Sequence, residues 1–192
     1  SRTGEDTDPM KWASAVSEEA DLSVAMRQAA GEIRHQLGTE EPDLILMFVS
    51  PHHEPDYEEV PLEVRRHFLM STVVGCSGGG VVGGGREVEH SPAVSLTAAV
   101  LPGVAITAFH IDADDSDALV NHSEVWHEVM EVDPEQPVHF IVLPDPFSCD
   151  ARGILASLDK AYPAASKIGG LASGAQSPGE NVLFVDDECL DE

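Results

Sequence analysis

Residues 71–92 read STVVGCSGGGVVGGGREVEHSP. The first seven form a short apolar run of strand length, and the run passes straight into glycines. Nucleotide binding, a nucleophile elbow and plain backbone geometry all place glycine after a strand, and the first two need a helix next. A phosphate loop of the GxxxxGK[ST] type has its glycine spacing at Gly75 and Gly80, but Val81 and Val82 stand where Lys and Ser/Thr belong. The dinucleotide spacing GxGxxG occurs at Gly78, Gly80 and Gly83, yet no amphipathic helix follows before Pro92. The GxSxG of a nucleophile elbow is present from Gly75 to Gly79, with Cys76 and Ser77 inside it, and again the helix is missing. The third possibility is backbone geometry. Glycines permit close approach of another backbone or a ligand, and successive N–H groups in such a turn make an anion-binding nest. A structural corner and a ligand nest both remain open at this point.

Working outward, Leu22, Met26, Ala29, Ile33 and Leu37 fall at helical spacing, and Gly38 ends the pattern. DLILMFVS (residues 43–50) is a continuously apolar run, as expected of a strand buried on both faces. A loop, PHHEPD, leads to a second helix with Pro61 in its first turn and Val60, Val64 and Phe68 along one face. Beyond the glycines, residues 93–101 and 104–111 read as two strands joined by Pro102-Gly103, a hairpin. DADDSD precedes a helix over about 118–130, and HFIVLP is another buried strand. Ser148 is placed to cap a helix with Ile154, Leu155 and Leu158 inward, ending at Tyr162-Pro163. SKIGGLASG and NVLFVDDE then bracket a second glycine turn. The pattern predicts an α/β layered domain with a mixed sheet, alternating strands and helices plus an inserted β-hairpin.

Ten Lys and Arg face 35 Asp and Glu, a formal charge of −25. Such a surface repels nucleic acid and anionic lipid. It suits a solvated acidic face or one that docks on a basic partner. Cys76, Cys149 and Cys189 are too few and too scattered for a disulfide framework or a zinc site, which implies a reducing compartment. No apolar run approaches the roughly 20 residues of a bilayer span, and a soluble chain with no membrane insertion is expected. Residues 1–9 are polar and read as a leader or tag remnant, with the domain starting at Met10.

Metal sites find little support. PHHEPD offers His52, His53 and Glu54, but adjacent histidines on an extended segment point opposite ways. His122 and His127 miss the i, i+4 spacing of HExxH. DADDSD places Asp117 where a calcium loop needs Gly and Ser123 where it needs Glu. No cofactor is expected. LPDPFSCD follows a strand, and ligand-contacting groups in α/β sheets gather at strand carboxyl ends. Asp145 is therefore a candidate for a ligand cation and the helix start at Ser148 for an anion, or Asp145 is simply a turn residue beside Pro146.

MKWASAVS, VVGCSGGGVVGGGREVEHSPAVSLTAAVLPGVAITAFHI, HFIVLPDPFSCD and YPAASKIGGLASG occur in this order and together resemble the N-terminal FIST domain, in the form common in cyanobacteria and algae. The resemblance spans residues 10–187 and implies a non-enzymatic sensory domain of signal transduction that binds small ligands such as amino acids. It also implies a C-terminal FIST half beyond this chain, with residues 10–192 forming the N-terminal-type domain. A phototroph origin would make residues 1–9 the remnant of a plastid transit peptide, and the compartment the cytoplasm or plastid stroma. On this reading the nest Gly75, Cys76, Ser77, Gly78, Gly79 and Gly80, with Arg86, takes a ligand carboxylate. Asp145 takes the ammonium, and Gly169, Gly170, Ser173 and Gly174 form the opposite wall. Two rivals stand beside it: an interaction subunit docked by its acidic surface on a larger, for instance photosynthetic, assembly, and a hydrolase using Cys76 or Ser77.

Overall fold

The computed structural model describes residues 9–133 and 135–191; nearly all of the leader or tag remnant expected at 1–9 lies outside the described residues. The chain opens with β1 (Lys11–Ser17), a strand not anticipated above, whose inward positions are the small residues Ala13, Ala15 and Ser17. Helix α1 (Leu22–Leu37) follows as expected. Its start is fixed by Asp21, whose carboxylate accepts the Val24 N–H at 2.9 Å, and its end by Gly38 with φ 72°. Then come β2 (Leu44–Val49), a 3-10 stretch over Pro51–Glu59, α2 (Val60–Arg65) and β3 (Thr72–Ser77). The PHHEPD segment is thus helical, with Pro51 opening it.

The glycines after β3 build a hairpin, β4 (Gly80–Gly83) and β5 (Arg86–Glu89). Its two-residue turn, Gly84 and Gly85, has φ 56° and 76°, a conformation that matches the twist of paired strands and that side chains resist. β6 (Val94–Val100) is the strand expected from residue 93 onward. Its expected partner at 104–111 is not a strand. β6 is already flanked on one side by β1 and on the other by β2, so no edge remains for a returning chain. The inserted hairpin therefore lies at 80–89, not across Pro102-Gly103.

The second half contains α3 (Ala113–Asn121), α4 (Trp126–Met130), β7 (His139–Val142), α5 (Ala151–Ala161), β8 (Ser166–Gly169), β9 (Leu183–Val185) and β10 (Glu188–Leu190). The single helix expected over 118–130 is broken at His122, which leaves the helical region at φ −131°. Helix α5 is capped by Asp150, which accepts the Gly153 N–H, and not by Ser148. Leu155 faces solvent, while Ile154, Ser157, Leu158 and Ala161 are buried.

The main sheet has the order β1-β6-β2-β3-β9-β10 and is mixed: β2 and β3 are parallel, the other neighbours antiparallel. Helix α1 and the 51–65 segment cover one face, where Met26, Ala29 and Ile33 pack on Ile45, Met47, Leu96 and Ala98. The β4–β5 hairpin covers part of the other face through Val81 and Val88, against Val16 and Phe48. A second core forms around Trp126, Phe140, Leu158 and Tyr162, between the later helices and a two-stranded parallel sheet of β7 and β8. Between this layer and the main sheet opens an apolar groove of about 630 Å³, lined by Leu44, Val74, Phe109, Ile141, Ile168 and Val185 among others. None of the described helices is long and apolar enough to cross a membrane.

Candidate functional site

Because β2 and β3 run parallel, their carboxyl ends open on the same edge of the sheet, where α/β folds collect ligands. After β2 the chain turns at Pro51 into the 3-10 stretch; after β3 it enters the glycine corner. The loop at 173–180 closes the third side. Together they enclose a cavity of about 370 Å³ lined by Glu54, Tyr57, Ser77, Ser173, Gly174 and Glu180, among others.

Two turns meet here from far apart in the chain. The Ser173 N–H donates to the Ser77 carbonyl at 3.1 Å, and the Gly79 N–H donates to Ser173 Oγ at 3.1 Å. Gly174 sits at φ 105°, and a Cβ on it would lie 2.4 Å from Pro51 Cγ. Only glycine lets the three walls approach this closely.

Behind the cavity runs a buried polar chain. Ser77 Oγ donates to Asn181 Oδ1 at 3.2 Å and accepts the Val182 N–H at 3.2 Å. Asn181 Nδ2 donates to Asp145 Oδ1 at 2.7 Å, and Ser148 Oγ donates to Asp145 Oδ2 at 2.5 Å. Ser77, Asn181 and Asp145 are each no more than 5% exposed. A buried carboxylate requires such partners, so Asp145 ties the β7 end to the main sheet and has no empty oxygen turned toward a ligand.

The expected site residues therefore divide. Ser77, Gly79, Ser173 and Gly174 meet at the cavity. Gly75 and Cys76 are paired inside β3. The Gly78 N–H donates to the Val49 carbonyl and the Ser77 N–H to the Val182 carbonyl, so the nest is filled from within. Gly80 starts β4, under Glu89. Arg86 is turned toward β1, paired with Glu18 at 2.7 Å and bonded to the Val16 carbonyl at 3.2 Å. Gly169 and Gly170 stay with β8, where the Gly170 N–H donates to the Val142 carbonyl. Asp145 and Ser148 line the apolar groove instead.

Neither Cys76 nor Ser77 is activated as a nucleophile by a neighbour among the described residues. Cys76 is 2% exposed, and burial pushes its thiol up to about 12, so it stays protonated. Ser77 is engaged with Asn181, with no base beside it among the described residues. No group of three His, Cys, Asp or Glu suited to a metal ion occurs among the described residues. The residues of DADDSD instead start α3, with Asp112 accepting the Asp115 N–H.

Glu54, weighed in the sequence only as part of the PHHEPD metal candidate, and Tyr57, Glu180 and Asn181 are not among the residues expected at the site. The signal for the first two was available: PHHEPDYEE follows a buried strand just as LPDPFSCD does, and the strand-end rule applies to both. For Glu180 and Asn181, which precede a three-residue strand in a polar loop, there was none.

Residues 43–192 match the FIST N domain family. An uncharacterized protein of Mycobacterium tuberculosis strain H37Rv is 26% identical over 183 residues, 94% of this chain and 45% of that protein. An uncharacterized protein of Mycobacterium bovis is 27% identical over 172 residues, 88% of this chain and 42% of that protein. The chain thus spans less than half the length of the curated relatives it matches. It belongs to the FIST N domain family, a family of sensory domains.

Proposed function

We propose that the chain is a non-enzymatic sensory domain of signal transduction that binds a small polar ligand in the cavity between residues 51–57, 77–79 and 173–180. The observation that carries this reading is the meeting of the two glycine turns at the carboxyl ends of the parallel strand pair, around a cavity of about 370 Å³. Amino acids are the class the family resemblance suggested. The test is thermal unfolding over a panel of amino acids, amines, polyols and nucleotides, with Gly174→Val as the variant whose side chain collides with the Pro51 wall of the cavity. A ligand at 100 times its Kd adds about 2.7 kcal/mol. A shift in the native chain that is lost in the variant supports the site; a flat panel removes it.

A second reading, a docking module, rests on a different observation. Residues 104–111, VAITAFHI, carry strand-forming side chains but pair with no strand among the described residues, and they lie along the apolar groove. The occupant that fits is an apolar strand from a further folded unit, for which the relatives have room outside the matched region. Light scattering across a salt series, with hydrogen exchange at 104–111, tests it. Fast exchange in the free chain and protection in a complex are expected; protection in the monomer would remove the reading.

A further inference from the structure

We propose that His53 is an acid-sensitive latch: when its ring takes up a proton, the 51–59 stretch leaves its seat and the cavity loses one of its three walls. The use of the latch rests on the ligand-binding reading above; the latch itself does not. Pro51–Glu59 runs for nine residues as a 3-10 helix, a conformation uncommon beyond about four residues because its hydrogen bonds are poorly aligned. Pro55 inside the run has no N–H to donate. His52, Glu54, Asp56, Glu58 and Glu59 are exposed, and the two buried residues of the stretch are His53 and Tyr57. Two side chains therefore anchor it. Tyr57 packs edge-on against Phe184, with ring centroids 6.0 Å apart. Pro51, Glu54 and Tyr57 line the cavity, so a movement of the stretch is a movement of the wall.

His53 is the anchor that can fail. It is 1% exposed, and among the described residues it alone has buried side-chain atoms, Nδ1 and Nε2, without a hydrogen-bond partner. Its backbone N–H is satisfied by the Ser50 carbonyl, so the deficit belongs to the ring. A neutral ring left this way costs one unmet donor and one unmet acceptor. An imidazolium would bury a charge with two unmet donors, which costs far more. The charged groups that reach the ring are Asp56 and His52 on the stretch itself and Asp21 at the start of α1. Burial outweighs the two carboxylates, is helped by His52, and holds the ring below its usual value of 6.5. The Asp21 carboxylate is in any case engaged by the Val24 N–H at 2.9 Å. Once in water the ring regains a value near 6.5, so the closed stretch is fully favoured above that pH and loses ground as pH falls below it.

The experiment is amide hydrogen exchange of the chain, read by mass spectrometry at pH 7.5 and 5.5 and corrected for the intrinsic chemical rate. Residues 51–59 are expected to lose protection about fivefold or more at pH 5.5, because an opening coupled to one proton grows up to about tenfold per unit of pH. α1, β2 and β6 should keep theirs. His53→Leu, which fills the seat and cannot titrate, should abolish the local change. His52→Gln, at the exposed neighbouring histidine, should leave it intact. Equal protection of 51–59 at both pH values would overturn the latch. So would a loss shared by all elements, which would make acid sensitivity a property of the whole fold, and so would a local change that survives in His53→Leu. No ligand takes part in this measurement, so a flat ligand panel would remove the receptor and leave the latch standing.

Discussion

Asn181 donates a hydrogen bond to Asp145 across 36 positions of sequence, and both side chains are buried. The same amide accepts from Ser77 and from the Ala175 N–H, so one side chain joins the end of β3, the 173–180 loop and the end of β7.

Asn181→Ala removes all three bonds and leaves a buried carboxylate with one partner fewer. A loss of about 2–4 kcal/mol is expected in urea unfolding. A loss below about 0.5 kcal/mol would mean that solvent reaches Asp145 and replaces the amide.

Gly174→Ala places a methyl group against Pro51 at a backbone angle side chains resist. It should cost about 1–3 kcal/mol. Any ligand found for the cavity should stabilise this variant less than the native chain. An unchanged melting curve with full ligand stabilisation would show that Pro51 yields freely.

Stability should fall on mild acidification. His53 is 1% exposed with neither ring nitrogen bonded, and burial pushes its pKa below 6.5, against the opposing charges of Asp56 and Asp21 and with that of His52. His67 is lowered in the same sense, chiefly by burial. Below pH 6.5 the unfolded chain takes up protons that the folded chain does not, so stability is intact above 6.5 and declines toward the lower, folded value. Urea midpoints between about pH 8 and 5 measure this, above the range where surface carboxylates begin to protonate. The slope should be shallower in His53→Leu; an equal slope would assign it elsewhere.

The thiols should be slow to alkylate. With Cys76 at about 12, about one molecule in ten thousand is a thiolate at pH 8, and Cys189 is raised to about 11. Iodoacetamide followed by mass spectrometry should modify Cys76 only on unfolding. Fast labelling of native Cys76 would restore it as a candidate nucleophile.

Most of the layering was legible in periodicity, because α1, β2, β3 and β6 carry long apolar patterns. What escaped depends on partners distant in sequence. The run at 104–111 has strand chemistry, but whether it pairs is decided by β1 and β2 having already taken both sides of β6. β1 was hidden because its buried residues are Ala, Ala and Ser, which give little contrast with solvent-facing positions. The site was half legible: the glycine turns could be paired by eye. However, that Gly78 and Gly79 spend their N–H groups on Val49 and Ser173 is a tertiary fact. Ser148 and Asp150 are both ordinary caps in sequence, and only the competing bond to Asp145 decides between them.

The hydrogen bond behind the cavity wall joins positions 104 residues apart, Ser77 and Asn181. During synthesis, β1, α1 and the β2–β3 pair can assemble while the wall is still untranslated. Until Asn181 has left the ribosome, the chain holds the first four strands of the main sheet without the wall that closes the cavity. On the proposed reading, ligand response would need the 173–181 segment, and a fragment clipped ahead of residue 173 would bind no ligand in the cavity.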